Sequence, residues 1–207
     1  MNIILTAPEP ALADAWVRHC GDLPDVSVYR GSILDLTVDA VVSPANSFGF
    51  MDGGIDAVYR DFFGPKVEEE VRREIQLEHG GEMLVGNSDF VRTYNAQIPF
   101  LLIAPTMRVP SLITGTVNAY LAARAALWVF QRMQSYRWLE RHEPEKWTVA
   151  FPGLGTGVGQ LRPDICAKQV REAIDDVVTG RPIPQRLADA HLRHIAMTQE
   201  DPGFTAD

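Results

Sequence analysis

Asn46 and Asp56 stand ten residues apart, and the glycine pair Gly53-Gly54 lies between them. An amide and a carboxylate at the two ends of one loop can do complementary work. The amide offers coplanar donors and an acceptor to sugar hydroxyls. The carboxylate can aim a water at an anomeric carbon. Without side chains at Gly53 and Gly54, backbone N–H groups can approach an anion at a helix N-terminus. A second glycine-rich run, Gly153-Leu154-Gly155-Thr156-Gly157-Val158-Gly159, follows Phe151-Pro152 and could wrap a phosphate with main-chain donors. Each feature also has a plainer reading. Asn46 can cap its own loop through its own backbone, Asp56 can be a first-turn acid favoured by the helix dipole, and the second run can be an ordinary strand-to-helix turn. Helix N-termini favour ionised carboxylates, which predicts that Asp56 is a weak base suited to placing water and steadying an oxocarbenium-like centre.

The elements around these residues must bring them together. Asp39 to Val42 reads as a strand feeding the Asn46 loop, and Ile55 to Phe63 as the helix leaving it. Trp147 to Phe151 reads as a strand feeding the second loop, with a helix from Pro163 to Val178 beyond. Further strands are expected at Asn2 to Thr6, Val26 to Arg30, Met83 to Val85, Phe90 to Thr93 and Pro99 to Ala104. Helices are expected at Pro10 to His19, Lys66 to His79, Ser111 to Gln134 and Gln185 to Met197. Alternating strands and helices predict an α/β domain of three layers, α/β/α. Open sheets of this kind bind ligands at the carboxyl ends of their strands, where both glycine loops fall.

Composition narrows the partners. The 207 residues suffice for one domain with a full core. A formal charge of −8 argues against bulk nucleic-acid binding, which needs many lysines and arginines. Local backbone donors can still hold a small anion. Cys20 and Cys166 have no local partner, and Cys166 falls on the apolar stripe of its helix, so buried free thiols and a cytoplasmic location are expected. Met1-Asn2-Ile3-Ile4-Leu5-Thr6 lacks a positive flank and is not read as a signal peptide. The apolar run Ala125 to Phe130 is too short to span a bilayer, so no membrane contact is expected. His191 and His194 lie one helical turn apart without an acidic or thiol ligand set, which predicts no metal. Trp128 and Trp138 are expected in the core or at an interface.

On these residues the chain resembles the macrodomain family, which binds ADP-ribose and in many members cleaves ADP-ribosyl linkages. The family's Asn-Ala-Ala-Asn motif is matched by Ser43-Pro44-Ala45-Asn46, and its glycine run by Gly53-Gly54-Ile55-Asp56. Its second loop is matched by Gly153 to Val158 after Phe151-Pro152. The resemblance runs from about Ser27 to Thr179 and implies a macrodomain over residues 1–180 with a central mixed sheet. Residues 181–207 form a C-terminal extension, expected to be helical and then frayed. It further implies a metal-independent and cofactor-independent hydrolase acting at the distal ribose, on ADP-ribosylated protein or nucleic acid or on ADP-ribose 1''-phosphate. A non-catalytic reader, or a pocket for another nucleotide, is the alternative. Asn46 and Asp56 would be catalytic. Ser32, Ile33, Ala45, Gly53, Gly54, Ile55, Gly153, Gly155, Thr156, Gly157, Val158 and Gly159 would contact the ligand.

The chain departs from the family in three places. Gly31-Ser32-Ile33 replaces a Gly-Asp-Ile turn whose aspartate accepts from adenine, leaving Asp25 or Asp35 as substitutes or a different base as ligand. Gly159 stands where an aromatic commonly covers the distal ribose, and Ser43 replaces the first asparagine. Asp52 adds a negative charge beside the expected phosphate site, where it either points outward or selects against a phosphate.

Overall fold

The computed structural model describes residues 1–141 and 146–199, with side chains described through 135 and again from 146. In chain order the elements are β1 (Asn2–Thr6), α1 (Pro10–Cys20), β2 (Val26–Tyr29), β3 (Ala40–Ser43), α2 (Gly54–Phe63) and α3 (Lys66–Glu78). There follow β4 (Asp89–Arg92), β5 (Phe100–Ile103), α4 (Asn118–Arg141), β6 (Thr148–Phe151), α5 (Pro163–Val177) and α6 (Leu187–Thr198). The strands form one sheet in the order β2-β1-β6-β3-β5-β4. All neighbours run parallel except the edge strand β4, which pairs antiparallel with β5, so the sheet is mixed as expected.

Strands covered on both faces need apolar residues at every position. β3 and β5 show why. Ala40, Val42, Phe100 and Leu102 point to one core with Trp16, Phe130 and Cys166. Val41, Leu101 and Ile103 point to the other, with Tyr59, Val71 and Ile75. Helices α1, α4 and α5 therefore cover one face, and α2 and α3 the other. Cys20 and Cys166 are free and buried, and burial pushes both thiols up to about 12. Helix α6 packs on α5. Gln169 donates to the Met197 carbonyl at 3.1 Å, and Arg193 meets Asp176 at 2.7 Å.

Two expectations are corrected, and that for Trp128 is narrowed from core or interface. Helix α4 begins at Asn118 rather than near Ser111. Gly115 adopts φ +75°, and the Thr116 hydroxyl accepts from the Asn118 N–H at 3.3 Å, so the turn is set before the helix starts. Met83 to Val85 forms no strand. Val85 makes only an isolated bridge to Asn87 across Gly86, whose φ is +98°. Trp128 is 47% exposed on α4 and is no core residue. The side chain of Trp138 and the tail beyond residue 199 lie outside the described residues. Among the described residues, no helix is long and apolar enough to cross a membrane.

Candidate functional site

A cleft of about 450 Å³ crosses the carboxyl edge of the sheet. Every residue expected to be catalytic or to contact the ligand lines it: Asn46 and Asp56, Ser32 and Ile33, Ala45, Gly53 to Ile55, and Gly153 with Gly155 to Gly159. Strand order sets their sequence along the cleft. Ser32 follows β2, Glu9 follows β1, the second glycine loop follows β6, and the Asn46 loop follows β3. From β2 to β3 is three inter-strand spacings, roughly 14 Å. Such a span suits an elongated ligand of several linked groups.

Asp56 sits in the first turn of α2 with only 7% of its surface exposed. The Ser43 hydroxyl, itself buried at the end of β3, donates to Asp56 Oδ1 at 2.6 Å. Burial raises the Asp56 carboxyl to about 6, against the lowering effect of the Ser43 hydrogen bond. The expectation of a weak base is thereby corrected: loss of hydration outweighs the bias of the helix terminus. At neutral pH the group is an ionised carboxylate with unusual affinity for a proton.

Asn46 spends its side chain on its own loop. Its Nδ2 donates to the Phe50 carbonyl at 2.8 Å. Its Oδ1 accepts from the N–H groups of Phe48 at 3.1 Å and Phe50 at 3.3 Å. The Ser47 N–H reaches the Met107 carbonyl, the Gly49 N–H the Asn46 carbonyl, and the Met51 N–H the Glu68 carboxylate. Gly49 lies against Val71 and Ile75 of α3, where a Cβ would stand 2.8 Å from Val71 Cγ1. Residues 47–51 are therefore closed, with every N–H committed to the protein.

The glycine regions are the opposite. In the second loop the Gly155 carbonyl accepts from Leu161 N–H, Gly157 from Gln160 and Gly159 from Ile113. Carbonyls thus turn into the protein, while the N–H groups of Gly155, Thr156, Gly157, Val158 and Gly159 find no acceptor among the described residues. The N–H groups of Gly53 to Asp56, at the start of α2, are likewise unclaimed, as first-turn donors are. Gly155 at φ +71° and Gly159, whose Cβ would lie 2.6 Å from the Gly155 carbonyl, leave room for no other residue. Two banks of oriented donors facing one cleft can hold an anion without a cation.

At the β2 end, Ser32 Oγ accepts from the Leu34 N–H at 3.3 Å, capping a short helical turn. Neither Asp25 nor Asp35 lines the cleft. Asp25 pairs with Lys146 at 2.8 Å, and Asp35 accepts from the Tyr29 hydroxyl at 3.3 Å. The carboxylate that does line it is Glu9, at the N-cap of α1. Sequence reasoning missed Glu9 and also Phe50, Thr106 and Met107. Only the β1–β2 pairing, Thr6 opposite Tyr29, puts Glu9 beside Ser32. Among the described residues no three His, Cys, Asp or Glu side chains are placed to hold a metal ion.

Comparison with known proteins agrees with this architecture. The family model described as Macro domain matches residues 42–170. An uncharacterized protein of Aeropyrum pernix is 33% identical over 158 residues, 74% of this chain and 72% of its own length. One from Aquifex aeolicus is 30% identical over 152 residues, 72% of this chain and 81% of its own. Among solved structures, the Oceanobacillus iheyensis macrodomain with ADP superposes with a TM-score of 0.59 at 18% identity, covering 74% of this chain and 76% of that one. The macrodomain of Mycobacterium tuberculosis DarG gives 0.55 at 19% identity, over 70% and 87%. Thermosipho africanus DarTG in complex with ADP-ribose gives 0.55 at 16% identity, over 79% and 43%.

Proposed function

We propose that this chain, which belongs to the macrodomain family, binds ADP-ribose along its cleft and hydrolyses the bond at C1 of the distal ribose. The observation that carries the reading is the paired set of unclaimed N–H groups at Gly53 to Asp56 and Gly155 to Gly159. Their density suits a diphosphate, and an acidic chain without a cation in the cleft needs such donors to hold one. Solved relatives carrying ADP or ADP-ribose support the choice of nucleotide.

Order along the sheet supports the following arrangement of the ligand. The diphosphate lies between the β6 loop and the start of α2, the base toward Ser32 and Glu9, and the distal ribose toward Asp56. Glu9 accepts only, so it selects a base carrying an amino group. In the reaction a water oxygen adds to C1 of the ribose, and the bond from C1 to the acceptor atom breaks with its electron pair on the acceptor. Asp56 takes the proton that the water loses, and the departing atom acquires one in turn. A carboxylate raised to about 6 is better matched to that transfer at neutral pH than an ordinary aspartate. The acceptor belongs to an ADP-ribosylated macromolecule, and the two buried free thiols favour a cytoplasmic setting.

Calorimetric titration with ADP-ribose, followed by an assay for ADP-ribose release from modified protein, tests the reading. Binding with release is expected. Absence of binding refutes it. Binding without release in any modified substrate leaves a reader module, the second reading, which the internal commitment of the Asn46 amide favours.

A further inference from the structure

The cleft treats its two ends differently. Glu9, Asp52 and Asp56 line it, and among the described residues no lysine, arginine or histidine does. Its capacity for anions therefore resides in backbone donors and a few hydroxyls, and the unclaimed N–H groups stop at Asp52. On the far side, the N–H groups of Ser47, Phe48, Gly49, Phe50 and Met51 are all committed within the protein. The bridge between Asn46 and Met107 ties this closed loop to the segment after β5, so the wall beyond Asp56 is built from Phe50, Thr106, Met107 and Pro110.

Two cations approach that loop, yet neither faces the cleft. The Arg72 guanidinium lies 4.6 Å from the Phe50 ring centroid, and Arg108, paired with Glu82 at 2.6 Å, stacks on Phe48. Phe50 stays 44% exposed although Asn46 grips its backbone from both sides. The result is a rigid apolar and aromatic surface next to two carboxylates. No cation is among the residues lining it to neutralise a doubly charged group.

Resting on the proposed function above, we infer that the acceptor end of the cleft excludes phosphate and takes a carbon-borne oxygen or nitrogen acceptor, neutral or cationic, against Phe50. The protein thus removes ADP-ribose from side chains or bases and does not process ADP-ribose 1''-phosphate. Asp52 is the excluding charge. It is exposed, lines the cleft and makes no hydrogen bond or ion pair among the described residues, so its substitution leaves the fold intact.

The test compares ADP-ribose with ADP-ribose 1''-phosphate by calorimetry on the wild type and on Asp52→Asn, with phosphate release followed in parallel. The phosphorylated ligand is expected to bind the wild type at least about tenfold more weakly, as like charges a few ångströms apart near a protein surface repel by this much or more. Asp52→Asn should narrow the gap at least threefold. Equal or tighter binding of the 1''-phosphate, rapid phosphate release from it, or a gap untouched by Asp52→Asn overturns the inference. Failure of ADP-ribose itself to bind the wild type overturns the proposed function instead, and the inference with it.

Discussion

Asp56→Asn should stabilise this protein while disabling it. The wild-type carboxyl is raised from 3.8 to about 6 because a nearly buried side chain is forced to ionise. A folded-state value above the unfolded one means that this group's contribution to stability is fully present at low pH, is lost as pH climbs from about 4 to 6 and is constant thereafter. A rise of about two pH units corresponds to roughly 3 kcal/mol at neutral pH, as an upper figure. Asparagine carries no charge and keeps an oxygen for the Ser43 hydroxyl, so the penalty disappears. The expected gain is roughly 1–3 kcal/mol at pH 7.5, or a melting temperature higher by roughly 3–9 °C for a chain of this size. At pH 4 both side chains are neutral and the two proteins should melt together. Differential scanning calorimetry across pH 4 to 8 measures this directly. In parallel, release of ADP-ribose should fall by roughly 100-fold or more, as loss of a positioned base does, while ADP-ribose affinity stays near the wild-type value. A variant that melts no higher at pH 7.5, or whose gain is the same at pH 4, would refute the claim that burial of an ionised Asp56 strains the fold.

Ser43→Ala removes the hydrogen bond that counters that burial, so the acid limb of the pH–rate profile should move upward, and Ser43→Thr should restore it. Gly157→Glu meets no atom within 4 Å of its new Cβ, so melting should be unchanged while calorimetric ADP-ribose binding is lost. Glu9→Gln should weaken ADP-ribose by several-fold, through loss of a charge-assisted acceptor for a base amino group, and should leave the hypoxanthine analogue unaffected in the same titration. Asn46→Ala frees three hydrogen-bonding groups of the Phe48 and Phe50 backbone, and limited proteolysis within residues 47–51 should accelerate.

Much of the architecture is legible along the chain because it depends on local pattern. The uninterrupted apolar runs of β3 and β5 announce strands covered on both faces, and the glycine pairs announce backbone donors after strands. Asp56 at the start of a helix could be recognised for the same reason. The start of α4 is set by the capping turn at Gly115 and Thr116, and the weak helix formers Ile113 to Val117 already argue against a helix from Ser111. Glu9 carries no local signature at all.

Sequence alone thus determined the two loops and the carboxylate that could bind or react, since residue type and spacing along a strand or helix are local properties. Tertiary structure alone decided what those residues are free to do. Asn46 turned inward because its loop packs on α3 and needs internal partners. Asp56 became a stronger base because water is excluded by elements far away in the chain. The second glycine loop exposes its N–H groups because Ile113, Gln160 and Leu161 claim its carbonyls. Hydration and hydrogen-bond satisfaction depend on everything that surrounds a group, and only folding specifies those surroundings.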